Sequence, residues 1–187
     1  MGFRAKASGL LCLTALAACV SQDEPPVHVT IAYQLRCVAD DGCFYNQPAP
    51  QHDVNGVNGS GGLTADCEGG STVDDFSFLA VFDLYEIRVT VTETECTVEV
   101  QEEVNAYRKT CEVVEVEDAL VDCYASAQNP QLPCQLAYSR AGDTVSGTLC
   151  CRNMPVGEFA AAKLGDLSLL EPNTEDQPVS FEIEHCR

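Results

Sequence analysis

Apolar and polar residues alternate with a period of two over several parts of the chain between residues 27 and 184, which predicts β-strands. Successive side chains of a strand point to opposite faces, so each alternating set lies on one side of the sheet. The predicted inward-facing residues are Val29, Ile31, Tyr33, Val145, Leu149, Phe181 and Ile183, and the predicted outward-facing ones are Thr30, Glu182 and Glu184.

Turn signals divide these stretches into hairpins. The strongest hairpin covers Gln135 to Cys151, since apolar residues on both sides can face each other across Ala141-Gly142-Asp143. A second turn is expected near Glu93 to Glu95, and Asp41-Gly42 is a further turn signal. The segment from Phe76 to Tyr85 is apolar on both faces and is interpreted as one buried strand, with a helix as the alternative.

Two other segments lack the strand pattern. Glycine and asparagine are concentrated between Asp53 and Gly70, which predicts a loop. Glu158 to Leu164 consists of good helix formers and is followed by Gly165, which predicts one or two helical turns. About eight strands with one short helix indicate an all-β, disulfide-stapled antiparallel β-sandwich, and a closed barrel is the alternative.

The N-terminus has the layout of a secretory signal peptide. Arg4 and Lys6 precede an apolar run that is too short to span a membrane as a helix. The run closes with Leu16-Ala17-Ala18-Cys19, which resembles the lipobox of bacterial lipoproteins. That resemblance implies attachment of diacylglycerol to the Cys19 thiol, cleavage before Cys19 and acylation of the new amine. An ordinary cleaved signal peptide, with Cys19 as one more disulfide partner, is the alternative.

These features divide the chain into a signal peptide at residues 1–18, a lipidated tether at 19–26 and one cysteine-rich β domain at 27–187. The polar tether can span only about 25 Å, so the domain is expected close to its membrane. Val20 and Ser21 follow the lipidated cysteine, and neither is the aspartate associated with inner-membrane retention in enteric bacteria. The resemblance therefore favours the outer membrane of the cell envelope, with no preference for its periplasmic or its surface face.

Cysteine usage agrees with export. Of the twelve cysteines, Cys12 leaves with the signal peptide and Cys19 is expected to carry lipid, which leaves an even number. An even number in an exported chain predicts a disulfide framework, and the lack of a Cys-x-x-Cys pair argues against a zinc ribbon. The vicinal pair Cys150-Cys151 is expected to bond to two different partners. The disulfide candidates are Cys37, Cys43, Cys67, Cys96, Cys111, Cys123, Cys134, Cys150, Cys151 and Cys186.

The charge of the chain restricts its partners. The formal net charge is −19, and loss of Arg4 and Lys6 leaves eight basic residues against 29 acidic ones, a charge of −21. Such a surface repels nucleic acid, so no nucleic-acid partner is expected. The acidic run from Glu93 to Glu117 is interpreted as the outer face of strands, where charge opposes edge pairing or attracts a basic partner. The expected partners are the membrane, through the lipid anchor, and a protein or glycan.

Catalytic and metal-binding signals are weak. The chain has no Gly-x-Ser-x-Gly, and its only histidines are His28, His52 and His185, for which the residues favour exposed polar positions over a shared metal site. Calcium is the candidate cofactor because Asp53, Asp66, Asp74 and Asp75 supply oxygen ligands around the glycine-rich segment. No calcium-loop motif is present, however, and aspartate is common in solvated turns.

The sequence therefore predicts a non-enzymatic, lipid-anchored envelope protein with a binding or structural role and no bound cofactor. A calcium-dependent adhesion or binding module is one alternative. An envelope hydrolase that uses His52 and nearby carboxylates is the other.

Overall fold

The computed structural model describes residues 25–37, 51–69, 75–102, 105–115, 129, 131–155, 167–172 and 177–187. Within these ranges the chain forms eleven β-strands and no helix. In chain order the strands are β1 (His28–Cys37), β2 (Gln51–Val57), β3 (Leu63–Gly69), β4 (Phe76–Phe82), β5 (Tyr85–Val91), β6 (Cys96–Glu102), β7 (Asn105–Val113), β8 (Cys134–Ala141), β9 (Thr144–Met154), β10 (Leu167–Leu170) and β11 (Val179–Glu184). The all-β prediction is confirmed, with more strands than the eight expected. The predicted helical turn at 158–164 and the turn at 41–42 lie outside the described residues.

The strands pair into one continuous sheet with two distinct halves. In the first half, β1 pairs with β2 along one edge. Along its other edge β1 pairs with both β10 and β11, and these two strands also pair with β9. β9 in turn pairs with β8. The second half is the antiparallel series β3-β4-β5-β6-β7. The last residues of β7 pair in parallel with β8 and so join the halves. This pairing is the one parallel contact in the described part of the sheet.

The β8–β9 hairpin has the predicted position and register. Leu136 lies opposite Leu149, and Tyr138 lies opposite Gly147. Only Gly142 and Asp143 separate the strands, and Gly142 has a φ of 66°, a left-handed conformation that favours glycine. The predicted turn between β5 and β6 is also present, since the Thr92 amide donates to the Glu95 carbonyl at 2.7 Å.

Two predictions about local structure are wrong. The segment predicted as a loop between Asp53 and Gly70 is not a loop, because all of its described residues except the central turn lie in β2 and β3, where Leu63, Ala65 and Cys67 alternate inward. Nor is the segment from Phe76 to Tyr85 a single strand. It contains the turn between β4 and β5, where Asp83 has a φ of 57°, and aspartate tolerates this conformation better than most residues do.

The core lies between the two halves of the sheet. The rings of Phe78 on β4 and Phe181 on β11 are 5.5 Å apart, and Phe76 meets Tyr138 on β8 edge-to-face at 4.6 Å. All seven predicted inward-facing residues are buried, which confirms the alternation. Glu182 is exposed as predicted, but Thr30 and Glu184 are half-buried. The sandwich, with a closed barrel as its alternative, stays a prediction.

Of the disulfides in the described residues, one joins segments that are 119 residues apart in the chain and two join consecutive strands. Cys67 on β3 bonds to Cys186, Cys96 on β6 to Cys111 on β7, and Cys134 on β8 to Cys151 on β9. Cys150 is also disulfide-bonded, and because Cys151 bonds to Cys134 the vicinal cysteines have different partners, as expected. Cys37 ends β1, whereas Cys19, Cys43 and Cys123 lie outside the described residues.

Candidate functional site

A cleft opens where β7 leaves β6 and crosses to β8. β7 pairs with β6 as far as Thr110 and with β8 from Cys111 to Val113. β6 begins at Cys96, beside Cys111, so residues 112 and 113 extend past the β6 strand. Among the described strands, none pairs with the edge of these two residues that faces away from β8. Within the described residues, this part of β7 therefore has the character of an edge strand.

The cleft has a volume of about 740 Å³. Its apolar surface includes Val113, which is 49% exposed, and the half-buried Tyr138. The lining residues are Asp75, Val91, Thr92, Glu93, Val113, Val114, Glu115, Tyr138, Ser139 and Arg140. Three carboxylates and one guanidinium therefore surround an apolar floor, which gives the cleft a net negative charge.

One wall of this cleft is formed by β7 and β8, and two disulfides and the β7–β8 pairing hold it in place. Cys96–Cys111 ties β7 to the start of β6, and Cys134–Cys151 ties the start of β8 to β9. Cys111 and Cys134 are themselves register partners in the parallel β7–β8 pairing. The Val114 amide then donates to the Leu136 carbonyl at 2.9 Å. A wall fixed in this way loses little conformational freedom when it binds a partner.

A second group of polar side chains lies between β1, β2 and the β5–β7 strands. The His52 ring contacts two tyrosine rings in tilted orientations, Tyr33 at 4.9 Å and Tyr85 at 4.0 Å between ring centroids. Glu102 is only 3% exposed, so the expectation that the acidic run faces outward is wrong at this residue. Glu102 is the last residue of β6 and lies opposite Tyr85, so it belongs to the same group of side chains.

Burial controls the ionisation of this group. Burial, with Tyr85 and Glu102 nearby, raises the pKa of Tyr33 far above its ordinary value. Burial and then Glu102 raise the pKa of Tyr107, and burial lowers the pKa of His52. The two tyrosines are therefore protonated and His52 is neutral at pH 7. The Nε2 atom of His52 is buried and forms no hydrogen bond with the described residues. The hydrolase alternative stays a prediction.

The other two histidines have separate partners. His28 Nδ1 lies 2.7 Å from Glu184 Oε2, and its Nε2 lies 3.1 Å from Asn55 Oδ1. His185 Nδ1 lies 3.0 Å from Asp143 Oδ2, and this hydrogen bond lowers the pKa of the Asp143 carboxyl. The three histidines thus occupy three different environments.

The calcium candidates are distributed over different elements. Asp53 is exposed on β2, and Asp66 is exposed on β3 above a shallow pocket of about 240 Å³ that Glu68 and Arg88 also line. Asp75 is buried beside β4 and lines the cleft, whereas Asp74 lies outside the described residues. In the parts of the chain that the structure describes, no three histidine, cysteine or carboxylate side chains gather in a metal-binding arrangement.

Comparison with protein-family models, curated proteins and solved structures found no match for this chain. In the described residues, no helix is long and apolar enough to cross a membrane.

Sequence reasoning missed the cleft. Its lining comes from β5, β7, β8 and residues beside the strands, and the parallel β7–β8 pairing and the Phe76–Tyr138 contact bring these segments together. The exposed Val113, next to Glu112 and Glu115 in an acidic stretch, was the available local signal.

Proposed function

We propose that this chain is a lipid-anchored protein of the bacterial cell envelope, favouring the outer membrane, whose β domain binds a partner in the cleft between β7 and β8. The observation that carries the binding role is the cleft itself, an apolar floor with an acidic rim on a disulfide-fixed wall. Leu16-Ala17-Ala18-Cys19 supports the anchor. Pockets that combine apolar surface with a few convergent polar groups are the usual sites of recognition.

The chemistry of the cleft favours a basic protein segment. Glu93 and Glu115 are exposed on its rim and attract lysine or arginine side chains, while Val113 and Tyr138 offer apolar contact. The edge of residues 112 and 113 offers backbone hydrogen bonds to an extended peptide. A glycan partner would use the same aromatic and carboxylate groups but would gain little from the negative charge.

The charge of the rim can be tested with a synthetic peptide of alternating lysine and valine. In the double variant Glu93→Gln/Glu115→Gln, we expect the peptide to bind about fivefold more weakly, because each exposed charge contributes about 0.5 kcal/mol. Isothermal titration calorimetry at low salt measures the affinity.

The matched control is Asp66→Asn/Glu68→Gln, which removes the same charge from the outer face of β3. Equal weakening in both variants would show that net charge alone attracts the peptide and would contradict a specific cleft.

The anchor is tested by lipid labelling of the full chain in a bacterial host. Cys19→Ser removes the only thiol at the lipobox position, so we expect incorporation of radiolabelled palmitate to be lost and the protein to leave the membrane fraction. Cys12→Ser, which changes a cysteine of the apolar run, should keep the label. Equal label in the Cys19→Ser protein would contradict the proposed anchor.

A further inference from the structure

The turn between β4 and β5 exposes two large apolar side chains. Phe82 is 39% exposed and Leu84 is 57% exposed, and Asp83 between them holds the tight turn with its left-handed backbone. The described residues contain three exposed large hydrophobic side chains, and the third is Val113 in the cleft. Two of the three therefore lie together at one hairpin tip, hereafter the Phe82–Leu84 tip.

This tip lies beside the place where the N-terminal tether enters the domain. The Val27 carbonyl, one residue before β1, accepts a hydrogen bond of 2.8 Å from the Asn58 amide. The turn that Asn58 begins leads within a few residues to Leu63, the first residue of β3. Leu63 is the register partner of Phe82. One strand spacing of about 5 Å thus separates Phe82 from Leu63, where the turn contacted by Val27, the first residue after the tether, ends.

We propose that the Phe82–Leu84 tip contacts the surface of the bilayer that holds the lipid anchor. This inference rests on the proposed function, since it needs the anchor at Cys19. The tether of residues 19–26 reaches about 25 Å at most, and it joins the domain at the corner that carries the tip. An apolar tip held that close to a membrane is at high effective concentration there, so even a weak contact is sufficient to orient the domain.

The charges around the tip limit how deeply it enters the membrane and determine which lipid headgroups it contacts. Asp83 lies between the two apolar residues, and Glu86 follows on β5. These carboxylates stay in water, so the tip reaches the headgroup boundary and does not cross into the bilayer interior. Anionic lipids repel this corner, and zwitterionic lipids do not. The geometry therefore fits a surface contact on neutral lipid.

The absence of tryptophan from the sequence allows a direct test with a single fluorescent reporter. The full-length lipidated Leu84→Trp protein is reconstituted into phosphatidylcholine vesicles whose acyl chains are brominated near the headgroup. We expect the tryptophan emission to shift to shorter wavelength and to be quenched by the bromine. The matched control is Thr94→Trp in the exposed turn at the other end of β5, about 20 Å along the strand. Its emission should stay unquenched.

The outcomes separate this inference from the proposed anchor. The mass of the chain in the same sample reports lipidation, and a chain without lipid would overturn the anchor together with the orientation that depends on it. A lipidated, vesicle-bound Leu84→Trp protein without quenching would overturn the tip contact alone. Equal quenching of both reporters would also overturn it. A concentration-dependent blue shift in detergent without vesicles would show that a second copy of the chain covers the tip, and would likewise count against a membrane contact.

Discussion

Replacement of both Cys67 and Cys186 by alanine is expected to lower the free energy of unfolding by about 4.7 kcal/mol, the value for a loop of about 100 residues. The two cysteines are 119 residues apart, so their bridge removes more freedom from the unfolded chain than a bridge between neighbouring strands. The bridges Cys96–Cys111 and Cys134–Cys151 inside this loop reduce the effect only slightly, because loop entropy depends on the logarithm of length. In the folded state the bridge joins β3 to the residues that follow β11, next to the hydrogen bond from the Gly69 amide to the Arg187 carbonyl.

Urea unfolding without reductant, followed by circular dichroism, measures this loss. The comparison variant is Cys96→Ala/Cys111→Ala, whose bridge spans 15 residues and is expected to contribute about 3 kcal/mol. If the short bridge contributed as much as the long one, or more, the explanation by loop closure would be wrong.

Replacement of Ile31 by alanine is expected to lower the free energy of unfolding by about 2–5 kcal/mol. Ile31 is 1% exposed at the middle of β1, with Val54 on β2 and Phe181 on β11 as its register partners. Removal of its side chain leaves a cavity between strands that are held on both sides and cannot close over it.

The same urea titration checks this value, with Glu182→Ala as its control. Glu182 is exposed on β11, next to Phe181 in the chain but on the opposite face, and its loss should change stability by no more than about 0.5 kcal/mol. Similar losses for the two variants would contradict the assignment of inner and outer faces.

Strands with strict alternation could be predicted from the sequence. In β1 and β11 the apolar set is continuous and each strand has one covered face, so the period of two identified the core residues. The β8–β9 hairpin was predictable because Ala141-Gly142-Asp143 interrupts two such patterns at the right spacing.

Other elements could not be predicted because their local signals were ambiguous. The glycine-rich composition between residues 53 and 70 predicted a loop in place of β2 and β3. The glycines with positive φ are confined to the turn between these strands, at Gly59, Gly61 and Gly62. Ser77 and Asp83 are the only polar residues between Phe76 and Tyr85, and two polar residues do not identify a turn within a run of eight apolar ones. Glu102 is a charged residue of a type that is usually found at the surface, and its burial follows from its place opposite Tyr85.

The cleft depended on contacts that no local pattern encodes. β7 belongs to one half of the sheet until Thr110 and to the other half from Cys111, and the parallel partner β8 begins 23 residues after Cys111. Neither the change of partner nor the direction of β8 has a signature in the alternation of residues. The sequence contained the lining residues, but only the fold brings Glu93, Val113 and Tyr138 to one surface.

The position of β11 affects how such a protein can reach its native state. Although β11 is the last of the described strands in the chain, it lies inside the sheet, where it pairs with both β1 and β9. A chain that emerges N-terminus first exposes the facing edges of β1 and β9 before β11 is available to pair with them. Unpaired edges of this kind are prone to aggregation. Chaperones that shield unpaired strands, and oxidation of Cys186 only after the final strand has been made, would therefore determine the yield of correctly folded protein.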